Sequence, residues 1–111
     1  MTITARETGR KSPADVAAAV ADFTPLLRSG ELLTGIPAVV ETGGTSDLTI
    51  SNVGLNDSTV SVNGSDCVAN AGIQFLVAGG NTATKYVVKM SCGTDATPAQ
   101  TLVRSGTFFV E

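Results

Sequence analysis

From Gly35 to Glu111 the chain is a succession of short apolar–polar alternations cut by glycine and asparagine turns. A period of two marks a half-buried strand, because successive side chains leave opposite faces of the sheet. Ile36 to Glu41 opens the series, with Pro37 near its start, where a missing N–H is tolerated. Leu48 and Ile50 then alternate with Asp47, Thr49 and Ser51, and after Asn56-Asp57 the valines 60 and 62 alternate with Thr59 and Ser61. Asn63-Gly64 follows, the strongest hairpin signal in the chain, since both residue types tolerate positive φ. A short run surrounds Cys67 and Val68. Ile73, Phe75 and Val77 face one way ahead of a Gly79-Gly80 turn. Tyr86, Val88, Met90 and Cys92 alternate with Val87, Lys89 and Ser91, and the loop Gly93 to Ala99 leads to a last strand over Thr101 to Val110. In that strand Phe108 and Val110 point inward and Phe109 packs on the leader. About seven short runs spaced by roughly ten residues predict an all-β chain folded as an antiparallel β-sandwich.

Residues 1–34 do not share the pattern. The first twelve have no periodicity and read as an arm. Ser12-Pro13-Ala14-Asp15 has the chemistry of a helix start: a serine cap, proline at the first helical position and an acid three residues after the cap. Val16 to Ala21 continues that signal, and Thr24-Pro25 ends it, because proline pushes its predecessor out of the α region. Phe23, Leu26, Leu27, Leu32 and Leu33, broken by Ser29-Gly30, form an apolar cluster without a clean period. Two readings stand side by side: the cluster caps one end of the core, or it sits in a groove of a partner. The expected organisation is an N-terminal arm and leader, 1–34, followed by the β-sandwich, 35–111.

Composition narrows the use of such a module. A chain of 111 residues is one domain, and 42% hydrophobic content supplies a core. Charged residues make up only 15%, while 24 serines and threonines fill the surface. That surface suits strands and contact with other proteins. The net charge of −3 argues against non-specific nucleic-acid binding. The charge is uneven: Arg6, Arg10 and Lys11 against Glu7 leave the first twelve residues at +2 and the rest at −5. No run is long and apolar enough to span a membrane, and the N-terminus does not read as a signal peptide, which predicts synthesis and use in a cytoplasm or release by lysis. Cys67 and Cys92 fit no metal motif; their number is compatible with one bridge, and reduced, half-buried thiols are the default reading in a reducing compartment.

Chemistry-bearing constellations are scarce. Histidine is absent, which removes the usual general base and the commonest metal ligand. A cysteine nucleophile has no evident base partner. Asp57 and Asp66 either converge as calcium ligands between neighbouring loops or close their own turns; the second is the commoner use of such residues. The paired glycines at 43–44 and 79–80 are turns, not phosphate loops, since neither opens a helix with the required lysine. None of the five aromatics lies in a basic stripe. No catalytic, cofactor or metal residue is therefore expected. The predicted partner interface is the leader: Arg6, Arg10, Lys11, Val16, Phe23, Leu26, Leu27, Leu32 and Leu33.

The run Lys11-Ser12-Pro13-Ala14-Asp15-Val16, with Asp22-Phe23 and Leu27, resembles the start of small tailed-bacteriophage structural proteins, whose leaders read K-x-P-x-x-V-x-D-Y/F. Further on, Phe75 to Gly80, then Thr84-Lys85-Tyr86-Val87-Val88, then Arg104 to Val110 are similar to that group's aliphatic run, Gly-Gly turn, T-x-Y-x-V strand and final arginine-bearing strand. The chain departs from them in its extra alanine-rich stretch and in lacking a tryptophan after Asp22-Phe23. The resemblance implies an Ig-like sandwich in a virion. Its expected place is the head, as a decoration or cement protein bound to the major capsid protein and associating with itself as a trimer, or else the tail or baseplate. A surface adhesion or carbohydrate-binding module is the competing reading.

Overall fold

The computed structural model describes residues 8–12, 14–62 and 64–111, and of residues 8–11 the backbone alone. These residues form nine strands: β1 Thr8–Lys11, β2 Ala17–Asp22, β3 Leu33–Glu41, β4 Leu48–Leu55, β5 Val60–Val62, β6 Ser65–Cys67, β7 Gly72–Gly79, β8 Thr84–Thr94 and β9 Thr101–Val110. One 3₁₀ turn spans Thr24–Leu26, and no α-helix occurs among the described residues. Seven of the strands lie where the alternation put them; β1 and β2 come from the leader.

The strands build two sheets and a hairpin. One sheet runs β1-β9-β8-β3, the other β2-β7-β4, and β5-β6 form a separate two-stranded unit. All pairings are antiparallel except β1 with β9, which is parallel. The arrangement is sandwich-like, for the inward side chains of both sheets share one core. Ala19, Ala21, Ile73, Phe75 and Val77 from the three-stranded sheet meet Leu33, Val88, Met90, Cys92 and Phe108 from the four-stranded one. Phe75 and Phe108 join them edge to face, ring centroids 6.3 Å apart and planes at 74°, the geometry the aromatic quadrupole favours.

The helix predicted from Ser12 does not form. Its start signal is real: Asp15 donates its N–H to the Ser12 carbonyl (3.1 Å), and the Asp15 carboxylate accepts the Ser12 N–H (3.2 Å). Pro13, which belonged to that signal, lies outside the described residues. The turn is not propagated. Ala17 to Asp22 extend and pair, residue for residue, with Val77 back to Gly72. Ala17, Ala19 and Ala21 bury their methyls while Ala18 faces out. A ten-residue alanine helix with no apolar face is marginal in water, so a full ladder plus three buried side chains wins over propensity.

The division at residue 34 does not separate a leader from a domain either. Phe23 is fully buried, and its N–H donates to the Ala71 carbonyl (2.9 Å). Leu33 is 2% exposed, begins β3 and donates to the Asn70 carbonyl (2.8 Å). Leu32 and Asp95 clasp each other. The Asp95 carboxylate accepts the Leu32 N–H (2.9 Å), and the Leu32 carbonyl accepts the Asp95 N–H (3.0 Å). The segment after β2 thus ties one sheet to the other.

Gly79 shows where the turn chemistry is indispensable. Its φ is +80°, and a Cβ there would sit 2.6 Å from the Asp47 carbonyl oxygen, a backbone atom that cannot swing aside. Gly79→Ala combines left-handed strain of about 1–2 kcal/mol with displacement of the start of β4. The expected loss is about 2 kcal/mol or more, seen as a melting temperature lower by about 10 °C. A shift under about 2 °C contradicts this account of the turn.

Candidate docking surfaces

The predicted interface residues divide by burial. Arg6 lies outside the described residues, and for Arg10 and Lys11 only the backbone, in β1 beside Phe109 and Val110, is described. Val16 is 64% exposed just before β2, and Leu26 is 37% exposed in the 3₁₀ turn. Leu27 is half-buried and packs against both apolar clusters; Leu32 is half-buried in the clasp with Asp95. Phe23 and Leu33 are core, so of the two readings of the leader they follow the one in which it closes the core. Their shape was chosen by the two sheets, and no partner reaches them while the fold is intact.

Polar side chains buried in this fold serve structure. Asn56 is fully buried next to the β5-β6 hairpin. Its Nδ2 donates to the carbonyls of Ser58 (3.1 Å), Cys67 (3.2 Å) and Val68 (2.7 Å), and its Oδ1 accepts the Gly72 N–H (2.9 Å). One side chain thereby holds the hairpin against β7. The Tyr86 hydroxyl donates to the Asp47 carboxylate (2.9 Å) and accepts the Asn81 N–H (2.8 Å), locking the turn between β7 and β8.

Glu31 is the one buried carboxylate among the described residues, 7% exposed overall. Its Oε1 accepts the Arg28 N–H (3.0 Å), and its Oε2 stands 3.8 Å from the Arg28 guanidinium with no hydrogen bond. A cavity of about 330 Å³ opens beside the pair, lined also by Asp95. Asp95 already accepts a backbone N–H, and Arg28 supplies one positive charge beside the two carboxylates. Among the described residues no three His, Cys, Asp or Glu side chains converge to hold a metal ion.

Both cysteines are free and fully buried rather than half-buried. Burial, followed by the nearby Asp22 carboxylate, pushes the Cys67 thiol up to about 12. Burial also raises Cys92, against smaller opposing contributions from the Thr34 and Gly93 backbone. Since the thiolate is the reactive form, neither thiol is primed as a nucleophile. A sign follows for stability. An unfolded Cys67 ionises near 9.0 and the folded one near 12, so its contribution is intact below pH 9 and is lost as pH rises toward 12. Wild type should lose denaturant resistance relative to Cys67→Ala over that range. Parallel curves for the two proteins would contradict the assignment.

The outer face of the four-stranded sheet is different in kind. Val40, Val87 and Val103 are 54%, 40% and 51% exposed there. Cross-strand register sets them around Lys89: Val40 lies opposite Lys89, Val87 two residues before it on the same face and opposite Thr107, and Val103 opposite Ser91 two residues after it. The other outward positions of β8 and β9 hold serine, threonine, Gly93, the half-buried Phe109, Lys85 and Lys89, and no carboxylate occurs at the outward positions of β3, β8 or β9. The opposite face of the molecule is uncharged over most of its area, with a shallow cavity of about 290 Å³ framed by Ala18, Val20, Asn52, Gln74 and Leu76. Sequence alternation marked Val87, Lys89 and Ser91 as outward, yet the patch was missed because only register unites valines from three strands. Comparison of the chain with protein-family models, with curated proteins and with solved structures gave no match.

Proposed function

We propose that this chain is a non-enzymatic structural protein of a tailed-bacteriophage virion, most suited to decorating the head. The observation that carries the reading is the outer face of the β1-β9-β8-β3 sheet, where three exposed valines lie among hydroxyls and two lysines with no acid. An exposed aliphatic patch framed by polar groups is the usual mark of a protein contact. A sandwich with one outer face nearly uncharged and the other carrying lysines but no acid is suited to being packed between neighbours in a lattice, where repetition turns weak contacts into firm retention.

The proposal includes an Ig-like fold. Leaving the β5-β6 hairpin aside, β2-β7-β4 stand against β9-β8-β3, and the first strand crosses to lie parallel to the last; that order matches the two-sheet division of Ig-like sandwiches. Tyr86, near the start of β8, bonds through its hydroxyl to the backbone five residues upstream, in the manner of a tyrosine corner. The resemblance of Lys11 to Phe23 and of the three C-terminal runs to phage structural proteins points the same way. A carbohydrate-binding module has less support, because four of the five aromatics, Phe23, Phe75, Tyr86 and Phe108, are buried, which leaves a sugar only the half-buried ring of Phe109.

The test is co-sedimentation of the purified chain with DNA-free phage head shells and, separately, with isolated tails. Binding to shells in fixed ratio to the major capsid protein is the expected result. Binding to tails alone moves the protein to the tail or baseplate, and binding to neither, with saturable hits on a glycan array, overturns the reading.

A further inference from the structure

Charge is polarised along this chain in a way the fold converts into two separate surfaces. Between Arg28 and Lys85 there are five carboxylates and no base. Two of them, Asp57 and Asp66, stand exposed at the β5-β6 hairpin, close in sequence to Val68, itself 48% exposed. The hairpin is a firm platform: Val62, Cys67 and Ala71 form a buried cluster beneath it, and Asn56 bonds to three of its neighbouring carbonyls. Lys85 and Lys89 stand on the outer sheet face with the exposed valines, and no ion pair joins either of them to a described residue.

We infer that the occupant of the sheet face is a second copy of this chain, docking its β5-β6 hairpin there, with Asp57 and Asp66 toward Lys85 and Lys89 and Val68 among Val40, Val87 and Val103. The inference rests on the proposed function, whose lattice role it deepens by naming the self-contact. Each side pairs an aliphatic centre with charges of one sign, and the signs are opposite. Aliphatic burial supplies affinity, while the charges set orientation and exclude the face-to-face alternative, which would oppose lysine to lysine. Because hairpin and sheet face are different surfaces, the contact is heterologous. It closes into a ring, such as the expected trimer, when the rotation between copies permits.

The experiment is sedimentation equilibrium on three proteins over a hundredfold concentration range at low salt. Wild type is expected to associate, and to do so less at high salt, where exposed charges are screened. Lys85→Glu with Lys89→Glu makes both surfaces acidic; Asp57→Lys with Asp66→Lys makes both basic. Each variant alone should remain monomeric where wild type associates, with the concentration for half-association raised about tenfold or more. An equimolar mixture of the two should associate again as pairs or even-numbered assemblies, since every unlike encounter is complementary while a ring of three must place one like pair in contact. The four positions are exposed, so unchanged circular dichroism and melting exclude misfolding as the cause. A wild type that stays monomeric, variants that associate as wild type does, or a mixture that stays monomeric each overturns the contact. A monomeric wild type that still binds head shells defeats this contact and leaves the proposed function standing. An associating wild type that binds no virion component does the reverse.

Discussion

Removing residues 1–34 should abolish folding. The fragment 35–111 is expected to show no cooperative thermal transition and a collapsed amide proton spectrum, although it retains seven of the nine strands. Three losses add up. β7 gives up one entire ladder when β2 is deleted, leaving Gly72–Val77 unpaired on that side. Ala17, Ala19 and Ala21 vanish from one side of the core, and Phe23 and Leu33 leave the space between the sheets. Truncating a buried phenylalanine alone costs about 3–5 kcal/mol, and a domain of this size has only about 5–15 kcal/mol in total. Phe23→Ala serves as the graded version, with an expected loss of about 3 kcal/mol or more in urea unfolding. A fragment 35–111 that melts cooperatively near the wild-type temperature would falsify the view that the N-terminal third is structural.

The second large effect is expected at Asn56. Asn56→Asp preserves size but replaces the amide donor that serves Ser58, Cys67 and Val68 by an oxygen facing three carbonyls. Each buried group left unpaired costs about 1–3 kcal/mol, so the variant should lose about 4 kcal/mol at neutral pH. Burial favours the neutral acid, which regains a donor, so the deficit should narrow as pH falls. Asn70→Asp is the control. Asn70 is exposed with φ of 64°, a conformation aspartate also adopts, and its backbone N–H to the Asn56 carbonyl is kept. Its expected change is within about 0.5 kcal/mol. Equal effects at the two asparagines would mean that the hairpin is not held by the Asn56 amide.

How much of this was legible in the sequence depends on how each residue reports its face. Ile73, Phe75 and Val77, and Tyr86, Val88, Met90 and Cys92, announce their strands because large apolar side chains alternate with polar ones. β2 has the same alternation of burial but is written in alanine on both faces, so its period is invisible and its propensity reads as helix. β3 begins at Leu33, three residues before the expected start. The register shift between Thr34 and Ala38, with Gly35 at φ of 85°, breaks the alternation that would have joined Leu33 to Val39. Asn56 looked like a turn residue, and nothing local distinguishes an asparagine closing a turn from one buried among distant carbonyls. The outer valines fall in β3, β8 and β9, between 16 and 63 residues apart in pairs along the chain; only the register places them on one face. In the leader, Phe23 and Leu33 are apolar because they belong to the core, whereas Val16 and Leu26 stand exposed, and nothing local in the sequence separates the two kinds.

The most direct test of the central claim, that this chain works by being held at its β3-β8-β9 face, is an electron cryo-microscopy map of the proposed assembly, the chain bound to phage head shells. The account predicts Val40, Val87 and Val103 in contact with a neighbouring subunit, and the two-sheet body intact from β1 to β9. A map in which that face looks out to solvent while the molecule is anchored elsewhere contradicts it.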